Sequence, residues 1–248
     1  MAGPQWLTER PVAHRGLHDA VAGIVENTAS AFAAAVAANY AIECDIQLTG
    51  DGEAVVYHDD ALGRLTDGSG RLDAMTAEAL KRVPFRATQD RIITLGELCD
   101  LVAGRVPIFI ELKSRFDGDM RLARRAAELL ARYQGPAALM SFDPAPIVAL
   151  RALCPKRPRG VVAELKYDHA EWRSLSARTK RALTYFLHAM RSHPQFVAYS
   201  VKDLPATIPW MAQHLFRLPL LTWTVRTAED RARAARYADQ MIFEGFRP

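Results

Sequence analysis

The stretch Ala41-Ile42-Glu43-Cys44-Asp45-Ile46-Gln47-Leu48 sets two carboxylates inside an apolar run. Side chains on an extended chain alternate between faces, so Glu43 and Asp45 project to one side and Ile42, Cys44 and Ile46 to the other. Ile108-Phe109-Ile110-Glu111-Leu112-Lys113 repeats the device, with Glu111 and Lys113 opposite Ile108, Ile110 and Leu112. An isolated E-x-D on a strand also describes the solvated face of an antiparallel sheet. Here the opposite face is apolar and an Ala-rich helical run precedes it. That combination favours a parallel strand covered on its outer side, whose carboxylates need a partner. Three hard oxygen donors suit one divalent cation, Mg²⁺ or Ca²⁺, and suit zinc less well.

Outward from these two runs, the chain repeats one pattern. Short apolar segments at 12–14, 41–48, 107–113, 137–142, 160–165, 196–201, 220–225 and 240–245 read as eight strands. Helical periodicity fills 28–38, 95–103, 120–132, 144–153, 176–192 and 228–237. Strands alternating with helices in this way predict an α/β fold, a (β/α)8 TIM barrel, formed by 1–248 as a single domain. Between 201 and 220, Pro205, Pro209 and Pro219 restrict any helix to a short one. The turn-rich segment 54–91 departs from the alternation and reads as a small insertion after the second strand.

Composition sets outer bounds. With 248 residues, 50% of them hydrophobic and 24% charged, the chain can bury a full core. Cys44, Cys99 and Cys154 are odd in number and lack C-x-x-C spacing, which argues against a disulfide framework or zinc cluster and fits a reducing compartment. The first residues carry no signal-peptide pattern and no run approaches a membrane span, so a cytoplasmic protein without stable membrane insertion is expected. The net charge of +4 comes from Arg residues spaced along helices, as on a solvated face, so no nucleic-acid partner is expected. The oligomeric state is left open.

Short polar islands lie at or near the carboxyl ends of the first three barrel strands, where active sites of this fold sit: His14-Arg15-Gly16, Glu43-Cys44-Asp45 and Glu111-Leu112-Lys113. His58-Asp59 joins them from the insertion. Together they offer groups that bind a cation, bind an oxyanion and move protons. In order along the chain, these islands with Glu26-Asn27-Thr28, Asp51-Gly52 and Val56-Tyr57-His58-Asp59 resemble the glycerophosphodiester phosphodiesterase family of TIM-barrel enzymes. The match is close through the first half. In the second half Ser141-Phe142 and Trp223-Thr224-Val225 are similar to the family. At the eighth strand, Phe243-Glu244-Gly245-Phe246 replaces a Thr-Asp-like pair before a proline.

The resemblance implies that Glu43, Asp45 and Glu111 bind one divalent ion, Mg²⁺ or Ca²⁺, and that His14 and His58 are the acid and base. It implies phosphate contacts from Arg15 and Lys113, with Asn27 within reach of the site. Trp223 is expected either as an apolar wall for substrate or as a core aromatic. The implied activity is hydrolysis of a small-molecule glycerophosphodiester to sn-glycerol 3-phosphate and an alcohol, through a cyclic phosphate. Two alternatives stand beside it: a lyase that stops at a cyclic phosphate on a lysophospholipid, and a silent glycerophosphate-binding barrel. Pure binding would not need two proton-transfer groups. Glu164 reads as an aid to the metal or the glycerol, or as half of a salt bridge. His18 reads as a loop residue, and His169, His188, His193 and His214 as surface or packing residues. Cys44, on the apolar face, reads as a small buried hydrophobe.

Overall fold

In the computed structural model, which describes residues 3–248, each of the eight apolar runs overlaps a strand of one sheet. These are β1 (Val12–Ala13), β2 (Ala41–Leu48), β4 (Ile108–Leu112), β5 (Ala137–Ser141), β6 (Arg159–Ala163), β7 (Phe196–Ser200), β8 (Leu220–Val225) and β9 (Gln240–Phe243). All eight run parallel, and β9 returns to pair with β1 through Val12↔Ile242 and Ala13↔Phe243, which closes the barrel. The remaining strand, β3 (Ala54–Val56), lies antiparallel on the carboxyl-terminal half of β2. The fold is a TIM barrel with an insertion after its second strand.

Helices α1 (Ala29–Ala37), α2 (Ala77–Lys81), α3 (Leu95–Val102), α4 (Arg121–Leu130), α5 (Pro144–Leu153), α6 (Ala177–Thr184), α7 (Ala189–Ser192), α8 (Thr207–His214) and α9 (Ala228–Tyr237) follow in chain order. Thr94 and Thr227 start α3 and α9 with reciprocal capping boxes. One expectation changes. The helix read over 176–192 is two helices, because Phe186 adopts φ 50° and turns its ring inward, 6.5 Å from that of Tyr199. The insertion over 54–91 opens with β3, which forms a hairpin with β2. The rest of the insertion packs Val55, Tyr57, Leu62, Leu72, Leu80 and Phe85 into a core of its own.

Alternation along the strands divides the barrel into two apolar regions. Ile42, Cys44, Ile46, Ile108, Ile110 and Leu112 face outward into the main core beneath the helices. Inside the barrel, Val12, Ala41, Phe109, Met140, Val162, Phe196 and Leu221 form a second core. The rings of Phe109 and Phe196 meet edge to face at 5.9 Å. Ala41, Glu43 and Asp45 share one face of β2, and Phe109 and Glu111 share one face of β4. The carboxylates therefore form the layer directly above the apolar plug. The register places Asp45 beside Glu111.

Gly160 in β6 keeps the plug intact for a steric reason: a Cβ there would overlap the Phe196 ring, which is fully buried. Gly160→Val is expected to destabilise the fold by about 1–3 kcal/mol through overpacking, read as a lower denaturant midpoint. Combining it with Phe196→Leu should recover part of the loss, since the clash is with that ring; no recovery would place the strain elsewhere.

Candidate active site

The turn after β1 is built so that a helix can sit against it. Arg15 and Gly16 have φ of 55° and 81°, and a Cβ on Gly16 would meet the backbone of Ala31 in α1. A side chain at position 16 would therefore push α1 away. This geometry aims the Arg15 backbone N–H at Glu43 Oε2, 2.9 Å away. Asn27, at φ 56°, donates its backbone N–H to the Arg15 carbonyl at 2.9 Å. On the other side, the β2–β3 hairpin delivers His58. Gln47 Nε2 donates to the carbonyls of His58 at 2.8 Å and Asp59 at 2.5 Å, which ties the strand exit to β2.

Glu43, Asp45 and Glu111 converge at the top of the barrel, each buried, with one carboxylate oxygen from each lying within 4.8 Å of the others. Lys113 Nζ reaches Glu111 Oε1 at 2.7 Å and Asp45 Oδ1 at 2.9 Å. Arg15 Nε lies 3.3 Å from Asp45 Oδ2, and the same oxygen accepts from Asn27 Nδ2 at 2.9 Å. Burial pushes the Glu43 carboxyl well above its usual range, and the nearby Asp45 and Glu111 charges push it further. Burial acts on Asp45 too, but Lys113 and Arg15 prevail and hold it well below. Burial also raises Glu111, with Lys113 opposing.

Three carboxylates thus share two cations, and the buried Asp45 Oδ1 has the Lys113 ion pair at 2.9 Å as its contact. A divalent ion fits this donor set: it is all oxygen, it is buried, and its carboxylates outnumber the cations that face them.

The two histidines share a design. His14 Nδ1 lies 2.7 Å from Glu244 Oε2, and its Nε2 lies 3.9 Å from Glu43 Oε2. His58 Nδ1 lies 2.8 Å from Asp59 Oδ1, and Arg64 holds Asp59 in turn at 2.6 Å. A carboxylate on Nδ1 fixes the tautomer that leaves Nε2 free. Burial lowers the His14 pKa, although the Glu244 hydrogen bond opposes it. Burial would raise Glu244, but His14 and Arg226, the latter 2.9 Å away, bring it down to about 2.

A cavity of about 300 Å³ is lined by His14, Arg15, Glu43, Asp45, His58, Glu111, Lys113 and Trp223. A second compartment of about 550 Å³ shares His58, Glu111 and Lys113 with it. Of the residues singled out from the sequence, Asn27 is the one set behind this cavity: it is buried and grips Asp45 from below. Trp223 combines both expected roles, lining the cavity while its Nε1 donates to the Ala198 carbonyl at 3.1 Å. His169, read as a surface or packing residue, stands at the cavity wall beside Glu164. His18 also lies near the site, with Nε2 4.0 Å from Glu244 Oε1. Sequence reasoning missed Glu244 as the partner of His14, which is 230 positions away. Asp59 was legible as a candidate, since it follows His58 directly.

The family model for the glycerophosphoryl diester phosphodiesterase family matches residues 14–245. The chain is 28% identical over 226 residues to the probable glycerophosphodiester phosphodiesterase 1 of Mycobacterium tuberculosis, covering 80% of each. It is 36% identical over 111 residues to a glycerophosphodiester phosphodiesterase of Caldanaerobacter subterraneus, covering 42% of this chain and 44% of that one. Among solved structures, a phosphodiesterase of Oleispira antarctica in complex with the product sn-glycerol-3-phosphate superimposes with TM-score 0.76 at 20% identity, covering 96% of this chain and 93% of that one. The glycerophosphodiester phosphodiesterase of Thermotoga maritima gives TM-score 0.70 at 23% identity, covering 95% and 94%.

Because burial raises the Glu43 carboxyl and a carboxyl must be ionised to bind a cation, titrating Mg²⁺ or Ca²⁺ is expected to release protons, increasingly as the pH is lowered. Calorimetry in buffers of different ionisation enthalpy reads this directly. Glu43→Gln should abolish the release and weaken binding at least about tenfold; an unchanged titration would remove Glu43 from the ligand set. A second expectation concerns acid stability. The folded pKa of Glu244, about 2, lies below its ordinary value of 4.5. Its contribution is therefore full above about pH 4.5 and is lost as pH falls towards 2, with about 3 kcal/mol as the upper bound. Glu244→Gln should flatten the dependence of melting temperature on pH in that window, and an equally steep curve would show that other carboxylates dominate.

Proposed function

The chain belongs to the glycerophosphoryl diester phosphodiesterase family, and from that membership we propose that it hydrolyses glycerophosphodiesters to sn-glycerol 3-phosphate and an alcohol with one divalent cation, Mg²⁺ or Ca²⁺. The observation that carries the proposal is a convergence. Two imidazoles, each with Nδ1 on a carboxylate, border the same cavity as the buried Glu43, Asp45 and Glu111 cluster. Two compartments meeting at His58, Glu111 and Lys113 suit a diester, whose two arms leave the phosphorus in different directions. The Oleispira antarctica structure, with sn-glycerol-3-phosphate bound, lends support from a protein of the same fold. Among the described residues no helix is long and apolar enough to cross a membrane.

In this mechanism Glu43, Asp45 and Glu111 would hold the cation, and a bound cation would supply Lewis-acid stabilisation of charge on the phosphoryl group. Arg15 and Lys113, both at the cavity wall, receive the phosphate and offset the charge that grows during displacement. Asn27 keeps Asp45 in place from behind. His14, whose pKa burial lowers and whose Nδ1 is turned to Glu244, takes the proton from the glycerol hydroxyl adjacent to the ester. The oxygen of that hydroxyl forms a bond to phosphorus, the bond from phosphorus to the alcohol oxygen breaks, and His58 gives its proton to the departing oxygen. Water opens the cyclic phosphate with the proton transfers reversed.

Phosphorus NMR of metal-stripped protein with glycerophosphoglycerol tests the proposal. Adding Mg²⁺ or Ca²⁺ should produce the glycerol 3-phosphate resonance. A cyclic phosphate that persists would instead identify a lyase, and no turnover with either ion would overturn the assignment. His14→Ala and His58→Ala should each lower kcat by about 10²–10⁴ while metal binding survives; near-normal rates in either would remove that histidine from proton transfer.

A further inference from the structure

One wall of the cavity is acidic and aromatic, and the mechanism above makes no use of it. Glu164 stands just past β6 with its side chain only 9% exposed. Trp172 Nε1 donates to one of its oxygens. The other, Oε2, has no hydrogen bond among the described residues and lies 3.8 Å from His169 Nε2, on a side chain that is 69% exposed. Aromatic rings continue from there as a string. Tyr167 lies 5.4 Å from Trp172, Trp172 lies 4.9 Å from Phe142, and Phe142 lies 5.5 Å from Trp223. Glu164, Trp172, Phe142 and Trp223 all border the cavity that contains His14 and the three carboxylates.

Ring faces carry negative charge density and attract cations of low hydration, most strongly when solvent is excluded. A buried carboxyl with one uncommitted oxygen beside such rings adds negative charge to the same place when it ionises. A neutral polyol arm would draw little from the rings, whereas an ammonium group matches both features. Arg15, Lys113 and Arg226 also border this cavity, but Arg15 and Lys113 are paired with the carboxylate cluster and the Arg226 guanidinium is engaged by Glu244 at 2.9 Å.

We propose that Glu164, Trp172, Phe142 and Trp223 form a subsite for an ammonium-bearing alcohol arm, so that the enzyme prefers glycerophosphodiesters of cationic alcohols over those of neutral ones. The proposal rests on the phosphodiesterase assignment for its substrate and on the wall itself for its charge. The state of Glu164 agrees with it. Burial lifts its carboxyl to about 7, against the Trp172 hydrogen bond and the charge of His169, and Asp203 and Glu171 add to the rise. A cation arriving at Oε2 would supply the counter-charge that this environment lacks.

The test compares glycerophosphocholine with glycerophosphoglycerol on the metal-loaded enzyme and on Glu164→Gln, a substitution that keeps an acceptor for Trp172. The wild type should favour the choline diester in kcat/KM by roughly tenfold, through KM, and the variant should lose most of that ratio. Equal ratios in the two proteins would overturn the subsite while leaving the phosphodiesterase assignment intact. Equal losses on both diesters would also overturn it, since Glu164 would then hold the shared glycerol arm. If neither diester is turned over, the phosphodiesterase assignment falls, and choline alone decides the subsite by tryptophan fluorescence. Saturable quenching that Glu164→Gln abolishes supports a cation site, and no saturable quenching overturns it.

Discussion

Three carboxylates inside a barrel are the constraint around which this molecule is arranged. Glu43, Asp45 and Glu111 sit directly above an apolar plug that offers them no solvation. Unpaired charges there would be costly, so positive groups must come from outside the strands that carry them. Lys113 comes from the end of β4, and Arg15 from a turn that accepts a left-handed backbone at a non-glycine residue. Gly16 lets α1 pack close enough to hold that turn. Even so, three carboxylates face two cations, and burial raises the Glu43 carboxyl.

The same economy governs the histidines. Each is oriented by a carboxylate on Nδ1, and each carboxylate is shared with an arginine: Glu244 with Arg226, Asp59 with Arg64. The arginine keeps its carboxylate ionised, the carboxylate keeps the ring oriented, and Nε2 stays available. Just past β9, where Phe243-Glu244-Gly245-Phe246 stands in place of the family's Thr-Asp-like pair, Glu244 supplies an acidic side chain that reaches His14.

Much of this was legible from particular residues. Parity along 41–48 and 108–113 sorted carboxylates from aliphatics correctly, because a strand has a period of two whatever surrounds it. The count of apolar runs gave the barrel, and the H-R-G and E-x-D spacing gave the family. Local pattern failed where distant packing decides. The break at Phe186 depends on a ring seeking Tyr199, and helical periodicity over 176–192 carries no sign of it. The β3 hairpin depended on Ala54–Val56 finding the end of β2. Glu244 and the wall of Glu164, Trp172 and Trp223 join residues from separate β/α units, which no spacing rule connects.

The sequence by itself determined the barrel, the three converging carboxylates and the two histidines, because alternation and local motif are properties of short segments. The tertiary structure alone decided which carboxylate orients His14, that Asn27 supports Asp45 from behind, and that an aromatic wall with a half-free carboxylate borders the same cavity as the carboxylate cluster. Those relations are set by barrel closure, which brings residues from opposite ends of the chain within hydrogen-bond distance and removes the water that would otherwise screen them.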